Sequence, residues 1–155
     1  MSDIPSSLIG EREAQALLEA AAEARTRAYI PYSGFAVGAA LLDAEGRIHP
    51  GCNIENAAYG PTNCAERTAL FSAVAAGRPP RSFRAIAVTA DTAEPVTPCG
   101  TCRQVLAELC APDMPVVLGT IRGPWRVTTV AELLPGAFSQ AQLDEDRRRN
   151  GGGRA

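Results

Sequence analysis

The chain has 155 residues, 46% of them hydrophobic and 21% charged, which suits one globular domain able to bury roughly two thirds of its unfolded surface. Its 15 basic residues nearly balance its 17 acidic ones, for a formal charge of −2; this excludes a broad positive field for nucleic acid or anionic lipid and favours a small, uncharged partner. Met1 to Gly10 lacks a basic stretch followed by an apolar one, and no run approaches the ~18 apolar residues that span a bilayer, so a cytoplasmic protein that does not enter a membrane is expected.

From Glu11 to Ala28 the residues Ala14, Leu17, Leu18, Ala21 and Ala24 recur at helical spacing with no Pro or Gly, predicting an amphipathic helix stopped by Ile30-Pro31. Phe35 to Leu42 and Arg47 to Ile54 read as strands, and Glu45-Gly46 between them supplies a turn, which together predict an antiparallel hairpin. A loop with Asn, Gly and Pro runs from Glu55 to Asn63. Cys64 to Ala76 carries Leu70, Phe71 and Val74 at helical spacing and ends at Gly77, Pro79 and Pro80. Phe83 to Ala90 reads as a buried strand, and Cys99 to Cys110 as a helix opened by Pro98 and closed before Pro112.

Pro115 to Gly119 and Trp125 to Val130 are two more strands. The order α-β-β-α-β-α-β-β predicts a three-layer α/β/α sandwich around a five-stranded mixed sheet. Thr120 to Pro124 is too short for a parallel crossover, so the last two strands are expected to be antiparallel. The folded domain is expected to span 1–143, and Asp144 to Ala155 (DEDRRRNGGGRA) has the charge and glycine content of a disordered polar tail.

The chemistry concentrates in Cys64-Ala65-Glu66 and Pro98-Cys99-Gly100-Thr101-Cys102, each at a predicted helix start. In a reducing compartment such clustered thiols read as metal ligands or catalytic groups. Cys99 and Cys102, three apart, face one side of a helical turn, and Cys64 completes a trio for one zinc ion. Helix N-termini favour thiolate over thiol. Three protein ligands leave the fourth tetrahedral position for water, the arrangement of a catalytic zinc.

Three thiolates blunt the metal's Lewis acidity, and Arg67 is placed to hydrogen-bond sulfur and draw off charge. Glu66, two residues from a ligand, is the candidate proton shuttle. The only histidine, His49, lies in a predicted strand far from the cluster, which argues against a Cys-His nucleophilic pair. Cys52 and Cys110 sit in apolar stretches and read as small core residues.

These motifs resemble the homotetrameric class of zinc-dependent cytidine deaminases. The likeness runs through Tyr32-Ser33-Gly34-Phe35, Gly51-Cys52-Asn53-Ile54-Glu55-Asn56, Cys64 to Leu70, Pro98 to Val105 and Leu133 to Phe138. The Cys₃ ligand set, non-ligating Glu and P-C-x-x-C element are general features of zinc deaminases. The resemblance implies hydrolytic deamination of cytidine and deoxycytidine in pyrimidine salvage, with one zinc per chain. It implies that Phe35 stacks near the pyrimidine, that Asn53 and Glu55 hydrogen-bond the ribose 3′-hydroxyl, and that the backbone of Ala65 orients the base. It further implies that Ala57, Tyr59 and Phe138 reach a neighbouring subunit's nucleoside, so that active sites are shared within a homotetramer.

Gly34 stands where similar enzymes often carry a larger polar residue, and Thr101 replaces the alanine common between the two cysteines. A deaminase of another cytosine-bearing small molecule, such as blasticidin S, is the alternative enzyme. A non-catalytic zinc-stabilised binding module is the alternative of another class, and Glu66 argues against it. A polynucleotide deaminase is disfavoured by the short Thr120 to Pro124 link and the missing basic groove.

Overall fold

The computed structural model describes residues 8–151. Within them helix α1 (Glu11–Arg25) leads to strands β1 (Val37–Leu42) and β2 (Ile48–Cys52), followed by α2 (Ala65–Ala75), β3 (Ala85–Ala90), α3 (Gly100–Leu109) and β4 (Pro115–Thr120). β5 (Trp125–Thr129), α4 (Val130–Leu133) and α5 (Gln140–Arg149) complete the order. The five strands form one sheet, β2-β1-β3-β4-β5. β1 is antiparallel to β2 and to β3, β3 is parallel to β4 through the α3 crossover, and β4 is antiparallel to β5, as the short link between them requires.

The alternation of side chains along the strands explains the layers. Ala40, Leu42, Ala85, Ala87 and Val117 face α1, where they bury Ala14, Leu17 and Ala21. Ala39, Leu41, Ile86, Val88, Val116 and Leu118 point the other way, against Ala65, Ala69, Leu70 and Ala73 of α2, Leu106 of α3, and Val130 and Leu133 at α4. Cys110 belongs to this second core, where burial pushes its thiol up to about 12. Cys52, at the end of β2, is half-buried.

Two glycines fix how closely the helices seat. A Cβ at Gly38 would overlap the Ala21 carbonyl and stand 2.7 Å from the Arg25 amide nitrogen; one at Gly51 would overlap the Ala65 carbonyl and stand 2.6 Å from the Ala69 nitrogen. These neighbours are backbone and cannot swing aside. Gly51→Ala is therefore expected to shift the start of α2 and to cost about 1–3 kcal/mol or more, the range for overpacking. Urea unfolding checks this, and an unchanged midpoint refutes it.

The hairpin turn is held by Asp43, whose Oδ1 accepts from the Glu45 and Arg47 amides, both at 2.9 Å, while Oδ2 meets His49 Nε2 at 2.9 Å and the Arg78 guanidinium at 3.2 Å. The His49 contact leads in lowering the Asp43 pKa to about 2 from an ordinary 3.8, with the two amides and Arg78 acting in the same direction. Because the folded value lies below the unfolded one, this contribution is complete above about pH 3.8 and disappears as pH falls through about 2. Asp43→Asn is expected to flatten the acid limb of a thermal-stability profile in that window. A limb of unchanged steepness contradicts this.

Several boundaries differ from the sequence expectation. α1 ends at Arg25 rather than Ala28 because the Thr26 hydroxyl donates back to the Glu23 carbonyl at 2.7 Å and Arg25 Nε donates to the Ala36 carbonyl at 3.0 Å. β1 starts at Val37 because the Asn53 side chain occupies the Phe35 carbonyl and the Val37 amide. β2 stops at Cys52, and Ile54 instead bridges Tyr29 and Asn63.

Asp144 to Arg149, expected to be disordered, are helical in α5. The Ser139 amide donates to Gln142 Oε1 at 2.8 Å, and Arg149 pairs with Glu145 at 2.8 Å one turn away; such local pairs favour a helix even though it buries no residue. Residues 152–155 of the expected tail, and 1–7 of the N-terminal segment, lie outside the described residues. Among the described residues no helix is long and apolar enough to cross a membrane.

Candidate metal centre and active site

Cys64 and Cys99 occupy the N-caps of α2 and α3, with extended backbone, and neither side chain caps its helix. Ser, Thr, Asp or Asn in such a place would add ~1 kcal/mol of helix stability by capping. Cysteine gives that up and leaves each sulfur beside the positive end of a helix. Cys102, on the first turn of α3, is fully buried. Cys64, Cys99 and Cys102 are the one metal-ligand trio among the described residues, their sulfurs all within 4.8 Å of one another.

Tetrahedral zinc with Zn–S bonds of ~2.3 Å sets sulfur pairs ~3.8 Å apart. The Cys64–Cys99 separation is 3.8 Å. The donor set fits zinc, with one sulfur pair at the tetrahedral spacing and all three within 4.8 Å.

The Cys64 thiol is acidified within the trio, its pKa lowered to about 5. The chief cause is the hydrogen bond from the Cys102 thiol, followed by Arg67 and Cys99. Cys102 is pushed up by donating to Cys64 and by burial. Arg67 NH2 reaches Cys64 Sγ at 3.4 Å, while its buried Nε has no hydrogen-bond partner, leaving a donor in reserve beside the sulfurs.

Glu66 follows on α2 and is only 4% exposed. Removal from water is the main cause of its raised pKa, and the Cys64 charge adds to it. A carboxyl held this way, beside the sulfurs and facing the cavity, is placed to exchange a proton with a bound molecule.

A cavity of about 320 Å³ joins these groups, and Phe35, Asn53, Glu55, Cys64, Ala65, Glu66 and Cys99 all contribute to its wall. That volume lies at the small end of the ~300–1,000 Å³ common for small-molecule sites. Ser33, Val37, Val88, Val96 and Thr97 line it too and were missed from the sequence. Ser33 lies in the Tyr32-Ser33-Gly34-Phe35 motif without a role assigned to it, while Val37, Val88, Val96 and Thr97 carry no motif, and Thr97 is signalled only by its place just before Pro98-Cys99.

Asn53 and Glu55 brace the loop that bears Phe35. Asn53 Nδ2 donates to the Phe35 carbonyl at 2.8 Å, and its Oδ1 accepts from the Val37 amide at 2.9 Å. The Glu55 carboxylate accepts from the Tyr32 amide at 2.9 Å, the Ser33 amide at 3.2 Å and the Ser33 hydroxyl. The Ser33 hydroxyl leads in lowering the Glu55 pKa, with the two amides assisting. Gly34 sits between them at φ 67°, a left-handed backbone that other residues adopt at a cost.

Ala57, Tyr59 and Phe138 lie outside this cavity. Tyr59 is 77% exposed and meets Tyr32 edge to face, ring centroids 6.4 Å apart, in an adjoining cleft that shares Ser33 and Glu55. Phe138, 56% exposed, borders a separate hollow with Arg81, Ala107 and Pro112. Ala57 is exposed on the loop between.

A buried carboxyl beside three convergent sulfurs, on helix starts at one end of an α/β/α sandwich, is the layout of a catalytic metal centre, with three protein ligands and a fourth position left for water. Residues 11–118 match the family model for the cytidine and deoxycytidylate deaminase zinc-binding region. The chain is 57% identical over 131 residues to a cytidine deaminase of Sporosarcina psychrophila, spanning 84% of this chain and 95% of that one. It is 56% identical to a cytidine deaminase of Halalkalibacterium halodurans, spanning 84% and 98%. Among solved structures, a cytidine deaminase from Burkholderia pseudomallei superposes with a TM-score of 0.79 at 57% identity, covering 80% of this chain and 98% of that one. One from Mycobacterium tuberculosis gives 0.70 at 38% identity, covering 81% and 96%. The chain belongs to the cytidine deaminase family, and its cofactor is zinc.

Proposed function

We propose that the chain hydrolyses cytidine and deoxycytidine to uridine and deoxyuridine, releasing ammonia, as a cytoplasmic enzyme of pyrimidine salvage. The observation that carries this reading is the buried Glu66 sharing one cavity with the sulfur trio and with Phe35, Asn53 and Glu55. A zinc module that only stabilises a fold has no use for a buried proton carrier in a ligand-sized hollow. The residues up to 143 would serve as one deaminase domain.

Cys64, Cys99 and Cys102 would hold the zinc, which when bound supplies the Lewis acidity that makes water nucleophilic near neutral pH. Arg67 draws charge from Cys64 Sγ. The Glu66 carboxylate takes a proton from the attacking water and passes it to the ring nitrogen beside the reacting carbon. It then moves the second proton to the leaving amine, so that one water enters and one ammonia departs. Phe35 stacks against the base, and the backbone of Ala65 orients it. Asn53 and Glu55, already fixed by the loop they brace, receive the ribose 3′-hydroxyl with lone pairs and protons not used in that bracing.

Half-buried and covered by the bound nucleoside, these polar groups disfavour a ligand lacking the sugar, because they would lose their partner. Ala57, Tyr59 and Phe138 complete the pocket of a neighbouring copy in a homotetramer. Supporting this, Tyr32 and Tyr59 are exposed in the cleft beside the cavity, and the exposed Tyr29 and Ile54 are bridged to one another. The test follows the ultraviolet absorbance of purified protein with cytidine, deoxycytidine and cytosine in parallel. Turnover of both nucleosides and little of cytosine supports the reading; no turnover of either nucleoside by zinc-loaded protein refutes it.

A further inference from the structure

Arg103 lies on the first turn of α3, next to Cys102 and one turn beyond Cys99, where a cation opposes the positive end of the helix. Its acceptors are all neutral, and they lie on two different segments. Nε donates to the Pro98 carbonyl at 2.7 Å, NH2 to Thr97 Oγ1 at 2.8 Å, and NH1 to the Leu133 carbonyl at the end of α4 at 2.8 Å. Among the described residues, no backbone–backbone hydrogen bond anchors Asp91 to Pro98, the loop that delivers Cys99. Thr97 and Cys99 line the cavity, and Pro98 between them is buried.

We infer that Arg103 is a positioning residue of the active site, holding the Thr97-Pro98-Cys99 segment, with its metal ligand and its stretch of cavity wall, against the end of α4. The inference rests on the deaminase reading. A loop without backbone anchors has its ends fixed by β3 and α3, and its last residues fixed by side chains alone. The guanidinium does this because its donors form a rigid planar fork, able to serve acceptors in different directions at once. Lysine, a point charge on a flexible stem, keeps the charge and loses the fork. The neighbouring Gln104 extends the brace, its Nε2 donating to the Phe138 carbonyl at 2.9 Å. One turn of α3 therefore ties a metal ligand to the segment that carries Phe138.

The experiment compares wild type, Arg103→Lys and Thr97→Val as full chains, loaded with zinc or with cobalt(II) as a spectroscopic probe. Outer contacts that orient metal ligands typically account for ~10–100-fold in metal affinity or activity. Arg103→Lys is expected to release zinc to a chromogenic chelator on the order of 10-fold faster, to shift the visible cobalt bands, and to lower kcat/KM by a similar factor. Far-ultraviolet circular dichroism should remain that of wild type. Thr97→Val, which removes one acceptor, should shift the cobalt bands in the same direction and add little in the Arg103→Lys background. Wild-type cobalt bands and zinc release in a folded Arg103→Lys protein overturn the inference, as do additive effects of the two substitutions. If Arg103→Lys fails to fold, the Thr97→Val spectrum decides: shifted bands support the inference, and unshifted ones overturn it. Wild-type protein that holds zinc but does not deaminate refutes the deaminase reading separately, since the metal readouts stand without turnover.

Discussion

Glu66→Gln is expected to keep zinc and fold while lowering kcat by at least about 100-fold, the low end for general acid–base catalysis. Glutamine preserves the size and much of the hydrogen bonding of a side chain only 4% exposed, so the α2 packing against β1 and β2 has little reason to change. What disappears is the exchangeable proton. The raised pKa of Glu66 shows that its surroundings already disfavour charge, and an amide there even relieves that penalty. The variant should therefore stay folded and zinc-loaded while nearly inactive. Metal analysis, thermal unfolding and the nucleoside assay check the three parts together. Wild-type turnover in this variant makes another residue the proton carrier; lost zinc makes Glu66 part of the metal's support.

The metal trio was legible because two short motifs each coincided with a helix start, and helix starts impose the same local geometry wherever they fall. Cys99 and Cys102 needed only the first turn of α3 to share a side, and the parallel β3-α3-β4 crossover places that turn at the same end of the sheet as Cys64. The sheet itself was readable from alternation and from one short link. The roles of Asn53 and Glu55 were only half legible. Their hydrogen bonds to Phe35, Val37, Tyr32 and Ser33 join residues 16 to 23 apart in sequence, and no local pattern announces a pairing of that range. Arg103 escaped for the same reason, since Leu133 is 30 residues away.

Helix α5 was missed because charge-rich composition reports burial and not local pairing: the helix buries nothing, as the composition implies, and rests on short-range pairs such as Arg149–Glu145. The four-residue α4 depends on a capping box, in which the Glu132 amide donates to Thr129 Oγ1 at 3.3 Å and the Thr129 amide to Glu132 Oε2 at 3.0 Å. So short an element leaves no periodicity to detect. Both helices flank the segment that carries Phe138.

A dissociated chain is expected to keep its zinc and lose turnover, because the ligands all come from α2, α3 and their caps within one chain, whereas Tyr59 and Phe138 lie outside its own cavity. The loop that bears Tyr59 is tied to the body of the fold through Ile54 and Asn63, whose amides and carbonyls exchange hydrogen bonds at 2.9 Å in both directions. Its tip thus stands at the surface, with Tyr59 77% exposed and its ring against Tyr32 of the same chain. Burying such an aromatic against a partner contributes more than leaving it in water, and interface cores are enriched in tyrosine. Complementation distinguishes a shared site from an ordinary interface. Glu66→Gln subunits and Tyr59→Ala subunits, each inactive alone, should on mixing regenerate sites in which a sound Glu66 meets a neighbour's sound Tyr59. Subunit exchange is followed independently with a mass tag on one variant. Mixed oligomers that recover no activity, or a monomer verified by sedimentation that deaminates cytidine at the full rate, would place Tyr59 in the interface and outside the pocket.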